Sequence, residues 1–515
     1  MKYKNAFDTD KVYGRKIVAG LTALLMLTAA ALGSCTDSPG NAGVTDGTAP
    51  SEGTTESAET ETEVSAYDYL PPSDYEGYAF VILTRDASHH TKEVYSEALN
   101  GEIINDAVFK RNITVEEKFN VNIEPLMVTE TDESLLTRQI TKSVMANDNS
   151  FDLALAHTVY AGAVALEGVL YNWNNMPYND FSAEWWNGVL AKELTIQGHL
   201  YLAVSDMCIS AVDYTWALVF NKKLCEDYSI ENLYDLVKDK KWTNDKFAEV
   251  IKKASTDLNG DGKFGLEDRY GFATHYNSAI CNWMFASDIK VVERDDEGWP
   301  VLSAYTEKSV LLTEKMYDIL FGDNKTMYFT EDVVKQYGAP SHDIAVSKFF
   351  AENQALIAAL RIYVIEELRS METEFGIIPF PMFDEKQDGY YTHVDGHAPL
   401  MCLPKNLQNP ERASVIIEAL SYESFKQVMP SVYDIVLDSK YARDESSVEM
   451  LDIILDGRVY TFGYIYDNWK GMQWALTNLM FQKNSDYASY YAKNEKAALK
   501  QIETVINAFK SVIGE

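Results

Sequence analysis

From Tyr78 onward the apolar positions switch repeatedly between strand-like and helix-like spacing. YAFVILTRD (Tyr78–Asp86) is a short continuous apolar run rich in β-branched and aromatic residues, the pattern of a buried strand. NDAVFKRNITVEEKF, opening at Asn105, follows; Ile104, Val108, Val115 and Phe119 share one helical face. VNIEPLMV predicts a second strand. Leu136, Ile140 and Val144 repeat every four residues and predict a second helix, with Thr131-Asp132 as its cap. FDLALAHT (Phe151–Thr158) predicts a third strand. Strands alternating with helices of this length read as βαβ units and a mainly parallel sheet. Ligands of such sheets bind beyond the carboxyl ends of the strands, here Thr84-Arg85-Asp86 and His157-Thr158.

A second α/β region follows. YTWALVFNKKLCEDY (Tyr214–Tyr228) predicts a strand running into a helix. KWTNDKFAEVIKKAST predicts a helix capped at Thr243 with Phe247, Val250, Ile251 and Ala254 on one face. Then come YGFATH, a helix around Trp283 and a turn at DDEGWP, and FFAENQALIAALRIY and FGIIPFP repeat the helix–strand alternation. The last hundred residues read as largely helical and end in a stripe of Leu499, Ile502, Ile506 and Phe509. No internal repeat is evident.

Ahead of the body, Lys11, Arg15 and Lys16 precede an apolar run, Ile17 to Gly33, that is too short and Ala-rich to make a stable membrane span. It ends in Leu32-Gly33-Ser34-Cys35, which resembles a bacterial lipobox and implies cleavage before Cys35 and acylation of that cysteine. Residues 36–66 lack aromatic residues and carry few bulky apolar ones, so they cannot offset the entropy of ordering; they read as a flexible acidic tether. The layout is a signal peptide over 1–34, a lipidated cysteine and tether over 35–75, and a body held outside the cell membrane. No later stretch approaches 18 unbroken apolar residues.

Charge narrows the partners. Lys and Arg number 45 against 78 Asp and Glu, a formal charge of −33, which leaves no basic face for nucleic acid. Of the five cysteines none forms a CxxC pair; Cys208, Cys225, Cys281 and Cys402 read as buried free thiols, and no disulfide follows from their spacing. DLNGDGKFGLED places Asp257, Asn259, Asp261 and Asp268 at positions 1, 3, 5 and 12 of a calcium loop, with Gly262 at the sharp turn and the Lys263 carbonyl as a further ligand. Position 12 is Asp, as in dockerin loops, but a dockerin needs two such loops and one is present. The expectation is a structural Ca²⁺ site bracing the second region, with a metal-free Asx-rich turn as the alternative.

In order, the lipobox and tether, NGEIINDAVFKRNITVEEKFNVNI, Trp185-Trp186 before GHLYLAVSD, LVFNKKL, KKWTNDKFAEV before DLNGDGKFGLEDRYGF, FGIIPFP and PSVYDIVLDSKYARDE resemble the extracellular solute-binding proteins of bacterial ABC importers, most closely the lipid-anchored, maltose-binding-like sugar binders. The resemblance covers about residues 76–515. It implies a periplasmic-binding-protein-like type II fold: two discontinuous α/β lobes, one over 76–205 and 388–425, the other over 206–387 and 426–515. Hinge crossings are expected near Tyr201–Asp206 and Gly389–Met401. It also implies a monomer that delivers a carbohydrate, an oligosaccharide first, to an ABC permease without chemistry on it. A peptide or other polar solute is the second choice of ligand.

Aromatic faces stack on the CH faces of sugars, while carboxylates, amides and His or Arg bond the hydroxyl rims. Strand ends and crossings nominate Asp86, His157, Tyr160, Asp213, Tyr214, Trp216, Trp283, Arg361, Tyr363 and Asp395 as ligand contacts; each is as readily a packing residue. Trp185-Trp186 read as a packing wedge, and His89-His90 as a polar loop. His393, Asp395 and His397 would share one face of a strand and form a conceivable zinc set, a minor reading. No GxSxG, HExxH, phosphate-loop or dinucleotide motif is present. A surface glycoside hydrolase using paired carboxylates is the rival enzyme reading, and a cell-surface glycan tether a third.

Overall fold

The computed structural model describes residues 69–86, 88–129, 134–323, 325–437, 445–467 and 469–514. The signal segment, Cys35, the tether as far as residue 68 and the Thr131-Asp132 cap lie outside them. Residues 71–515 pack as one unit.

Strand β1 (Tyr78–Arg85) leads through helices α1 (Ser88–Val94) and α2 (Ile103–Phe119) to β2 (Val121–Val128). The second helix begins two residues before the predicted Asn105, because the Glu102 carboxylate accepts the Asn105 backbone N–H at 2.7 Å and so caps it from outside. Helix α3 (Leu135–Ala146) then leads to β3 (Leu153–His157), which passes directly into α4 (Thr158–Leu166). His90 lies on α1 and is 2% exposed, so it is a buried helical residue and not part of a polar loop. Trp185 and Trp186 do form a wedge: their indole N–H groups donate to the two oxygens of buried Glu418 at 2.7 and 2.9 Å.

The chain continues through β4 (Trp216–Asn221), α5 (Asn244–Ala254), β5 (Tyr270–His275), α6 (Ser278–Ala286), β6 (Thr326–Phe329), α7 (His342–Ala351), β7 (Ala355–Arg361), β8 (Phe375–Ile378), β9 (Pro399–Cys402), α8 (Pro410–Glu423), α9 (Ala475–Phe481) and α10 (Tyr487–Ile513). Helix α5 starts as read: Thr243 accepts the Lys246 N–H at 3.3 Å, and Phe247, Val250, Ile251 and Ala254 are buried. Helix α10 buries Ala498, Ile502, Val505 and Phe509; Leu499 is 49% exposed. The predicted stripe was therefore rotated on its Leu499 and Ile506 positions. Both stripes have helical spacing, and only the neighbouring surface selects between them.

The two larger sheets among the described residues are ordered β9-β3-β1-β2 and β8-β4-β7-β5-β6. The βαβ strands pair in parallel: β1 with β2 and β3, and β5 with β6 and β7. Strands β4, β8 and β9 pair antiparallel, so the sheets are mixed rather than mainly parallel. The reason is the path. Two stretches, one before β4 and one before β9, run side by side between the sheets, with Ala203 bridged to Met401, Thr215 to Val394 and the Asp395 N–H donated to the Tyr214 carbonyl at 2.9 Å. Strands β4 and β9, entering from such a crossing, meet the βαβ strands head-on, while β8, at the edge beside β4, runs in the same direction as β7. Gly396 lies on the second stretch. A Cβ there would stand 2.5 Å from Val159 and 2.7 Å from the Tyr464 hydroxyl, so only glycine fits this closely packed passage.

Cys208, Cys225, Cys281 and Cys402 are free thiols, all buried except the half-buried Cys225. Among the described residues no helix is long and apolar enough to cross a membrane.

Candidate functional site

Arg361 closes β7 and stands where the five-stranded sheet meets both crossing stretches. Its guanidinium pairs with Asp343, lies 3.4 Å from Asp395 and donates to the Tyr363 hydroxyl at 3.1 Å. Three rings surround it, Tyr363 at 5.1 Å, Tyr214 at 5.4 Å and Trp216 at 5.7 Å. Asp343 occupies the first turn of α7, whose cap is Ser341; the positive end of the helix favours its charge. Tyr363 donates to the same carboxylate at 3.1 Å, and His275, closing β5, brings Nε2 to 3.4 Å from it.

The electrostatics follow from this packing. Burial alone would raise the Asp343 pKa, but His275 and the Arg361 charge outweigh it and hold the carboxyl below its ordinary range. Burial alone would raise the Asp395 pKa too, but its bond from His397 and the Arg361 charge hold it well below that range. Burial would lower the Arg361 pKa, and its two carboxylates raise it instead. Burial pushes the Tyr214 hydroxyl up to about 12.

The four-stranded sheet supplies the facing side. Arg85, closing β1, donates to the His397 carbonyl and lies 3.3 Å from His90 Nδ1. His397 Nδ1 is 2.6 Å from Asp395, and its ring stacks on Tyr214 at 5.5 Å and tilts against His157 at 5.0 Å. His157, closing β3, meets Tyr160 edge-on at 5.2 Å. Burial first, then the charge of Arg85, lowers the His157 pKa to about 2, so the ring is neutral.

Several buried polar atoms of these residues and their neighbours make no hydrogen bond within the protein, among them Arg361 Nε, Trp216 Nε1, Thr274 Oγ1 and His342 Nε2, whereas His275 Nε2 and Asp343 Oδ1 face each other at 3.4 Å. Unsatisfied polar atoms beside aromatic rings are a pattern that a molecule carrying several hydroxyl groups would satisfy.

Of the residues nominated from sequence, His157, Tyr160, Tyr214, Trp216, Arg361, Tyr363 and Asp395 come together in this cluster. Asp213 stands beside it, its carboxylate 3.5 Å from Lys92, in a groove it shares with Ile362 and Tyr363. Asp86 is exposed just past β1, and its neighbour Arg85 is the one that turns inward. Trp283 is corrected: it lies in the middle of α6, fully buried among Phe247, Phe272 and Phe380, and is core. His393 is not part of a three-ligand face with Asp395 and His397, because its ring stacks flat on Phe285 at 4.3 Å. Arg85, at a strand end the sequence had marked, and His397, read only in the minor zinc set, were not nominated as ligand contacts, and His275 and Asp343 were missed. Asp343 had a usable signal, Ser341-His342-Asp343 after Gly338, which reads as a capped helix start with an acid in the first turn.

In the Asp257–Asp268 loop the acidic groups turn inward onto the backbone. Asp257 accepts the N–H groups of Gly260 and Gly262 at 2.6 and 2.8 Å, Asp261 that of Lys263 at 2.7 Å, and buried Asp268 those of Leu258 and Gly265 at 2.9 and 2.7 Å. Asn259 accepts the Asp261 N–H at 2.8 Å. This is the Asx-turn alternative. Among the described residues no group of three or more His, Cys, Asp or Glu side chains is arranged to hold a metal ion, so the calcium reading draws no support from the structure.

No family model and no curated protein matches the chain in sequence. Solved structures do match its fold. The galacto-N-biose/lacto-N-biose I-binding protein of an ABC transporter from Bifidobacterium longum, in complex with lacto-N-biose, aligns with a TM-score of 0.54 and 13% identity over 84% of this chain and 99% of its own. A sugar transporter protein from Rhizobium etli in an open conformation aligns with a TM-score of 0.53 and 14% identity over 84% and 100%. The ABC substrate-binding protein from Listeria monocytogenes in complex with cycloalternan aligns with a TM-score of 0.52 and 11% identity over 84% and 99%. At these identities the likeness establishes the fold: the two-lobed α/β architecture of the periplasmic-binding-protein-like type.

Proposed function

We propose that this two-lobed protein is the substrate-binding component of an ABC import system and captures a carbohydrate between the facing strand ends of its two sheets. The observation that carries the reading is the Arg361–Asp343–Asp395 cluster, ringed by Tyr214, Trp216 and Tyr363, with the buried Arg361 Nε and Trp216 Nε1 making no hydrogen bond within the protein. Ligands named for three structures of the same fold, lacto-N-biose, cycloalternan and maltotetraose, are carbohydrates. In this reading the lobes follow the boundaries expected from sequence, 76–205 with 388–425 and 206–387 with 426–515. The crossing stretches act as hinge, and the closed state is favoured only by ligand contacts made to both sides. Capture proceeds without turnover, and the loaded form docks on membrane permease subunits. Cys35 carries the lipid anchor, which keeps a monomeric body at the outer face of the cell membrane.

A thermal-shift screen of mono- and oligosaccharides, followed by calorimetry, tests the reading. A saturable rise in melting temperature with unchanged ligand recovered afterwards is the expected result. Failure of every carbohydrate to move the melting temperature removes the sugar assignment, and release of new reducing ends restores the hydrolase reading.

A further inference from the structure

Helix α1 sends three side chains to one point on the first crossing stretch. That point is a single helical turn, Ser210–Asp213, which runs directly into Tyr214. The Glu93 carboxylate, 0% exposed, accepts the Ser210 backbone N–H at 3.0 Å and the Ser210 hydroxyl at 2.8 Å on the same oxygen. Lys92 pairs with Asp213 at the other end of the turn, at 3.5 Å. His90 Nδ1 stands 3.5 Å from Glu93 and 3.2 Å from the Ser210 hydroxyl, and its ring stacks on Tyr214 at 5.6 Å and 14°. Helix α1 is itself held from behind: Arg111, fully buried on α2, donates to the carbonyls of Glu93 and Val94 at 2.9 and 3.1 Å.

A four-residue turn does not keep its shape alone, because starting a helix costs more than one turn returns. Its own N-cap is Ile209, which offers no side-chain acceptor, so the first N–H of the turn depends on a partner from elsewhere. Glu93 supplies from another element the acceptor that the local sequence lacks. The charges also suit the turn, an acid at its amino end and a base at its carboxyl end. What the turn holds is the candidate site. The Tyr214 N–H donates to the Ser210 carbonyl at 3.0 Å, the Thr215 hydroxyl donates to the Ala211 carbonyl at 2.7 Å, and the Tyr214 ring lies 5.4 Å from Arg361 and 5.5 Å from His397. Burying a carboxylate carries a desolvation cost that an apolar side chain would not, so packing alone does not account for Glu93.

We propose, resting on the capture reading above, that α1 is a clamp on the first crossing stretch and that Glu93 is the positioning residue for Tyr214. Glu93 acts without touching the captured molecule. It caps the Ser210–Asp213 turn across the fold, and the turn sets where the Tyr214 ring stands against Arg361 and His397. Lys92, with 28% of its side chain exposed, secures the far end of the turn.

Hydrogen–deuterium exchange on the ligand-free protein, and calorimetry with the malto- and cello-oligosaccharide series, test this in Glu93→Gln, Lys92→Met and Lys92→Arg. Glu93→Gln keeps the shape and loses the charge. Lys92→Met removes a partly exposed ammonium and keeps the fold, so the comparison stands even where Glu93→Gln unfolds. The amides of Ser210–Thr215 are expected to exchange about tenfold faster in Glu93→Gln and about threefold faster in Lys92→Met, and to return to wild-type rates in Lys92→Arg, with the β1 and β3 amides unchanged. Affinity for the series that binds is expected to fall by about the same factors, with the same recovery in Lys92→Arg. Unchanged exchange of the turn in every folded variant overturns the clamp, and faster exchange with unchanged affinity overturns the positioning role; either result leaves capture standing. A wild-type protein that binds no carbohydrate removes the capture reading and the positioning role with it, while the exchange result still decides the clamp.

Discussion

Arg361 is held by two carboxylates and three rings, so its removal has a defined cost. Arg361→Met leaves Asp343 and Asp395 buried without their countercharge, and breaking a buried pair from one side costs about 3–5 kcal/mol. A fall in the urea midpoint of matching size is expected. Arg361→Lys is expected to recover only part of it, because a point charge cannot reach both carboxylates and present a flat face to the rings. At the same scale, burial lowers the His157 pKa to about 2 and the His393 pKa to about 4. A group with a depressed folded pKa binds protons more readily when unfolded. These two rings therefore contribute stability that is complete above their ordinary pKa near 6.5 and is lost as the pH falls below it. Asp343 and Asp395, also depressed, add a further loss below about pH 4. Asp467, raised by burial to about 6, works in the opposite sense between these limits. Melting temperature is thus expected to fall by several °C between pH 7 and pH 4.5, and less in His157→Asn; equal acid slopes in the two proteins would contradict the assignment. Tyr214, Arg361, Tyr363 and Asp395 were legible in the sequence because they border strands. His397 and His275 were not, since what distinguishes them is the carboxylate each meets across the fold.

Element-scale structure separates local from selected features. The loop at Asp257–Asp268 was legible as a turn because its Asx and Gly spacing is local. Its chemistry was not, because the same spacing serves a cation or the backbone. With its oxygens accepting backbone N–H groups, EDTA is expected to shift the melting temperature by less than about 2 °C, under ~1 kcal/mol for a chain of this size. Asp268→Ala, which strips a buried acceptor from Leu258 and Gly265, is expected to cost about 2 kcal/mol. A large EDTA effect would restore the calcium reading. The last helix shows the same limit. Its period was visible, but its buried face was misplaced because helical spacing defines a stripe and only a neighbour chooses which one.

Over the whole molecule, closing of the lobes is the motion the capture reading requires. Small-angle scattering is expected to show a smaller radius of gyration on saturation with a binding sugar. Gly396→Ala, which forces a methyl against Val159 and Tyr464 on a crossing stretch, is expected to weaken binding or stability by about 1–3 kcal/mol. An unchanged radius would point to a rigid site. By itself the sequence determined where strands and helices lie, their alternation and the acidic character, because hydrophobic period, caps and charge are written over a few neighbouring residues. Tertiary structure alone decided that β4 and β9 run against the βαβ strands, that Trp283 is core, and that Arg361 meets Asp343 and Asp395. Those outcomes depend on residues far apart in the chain being placed within about 3–4 Å, the range over which a hydrogen bond or ion pair forms.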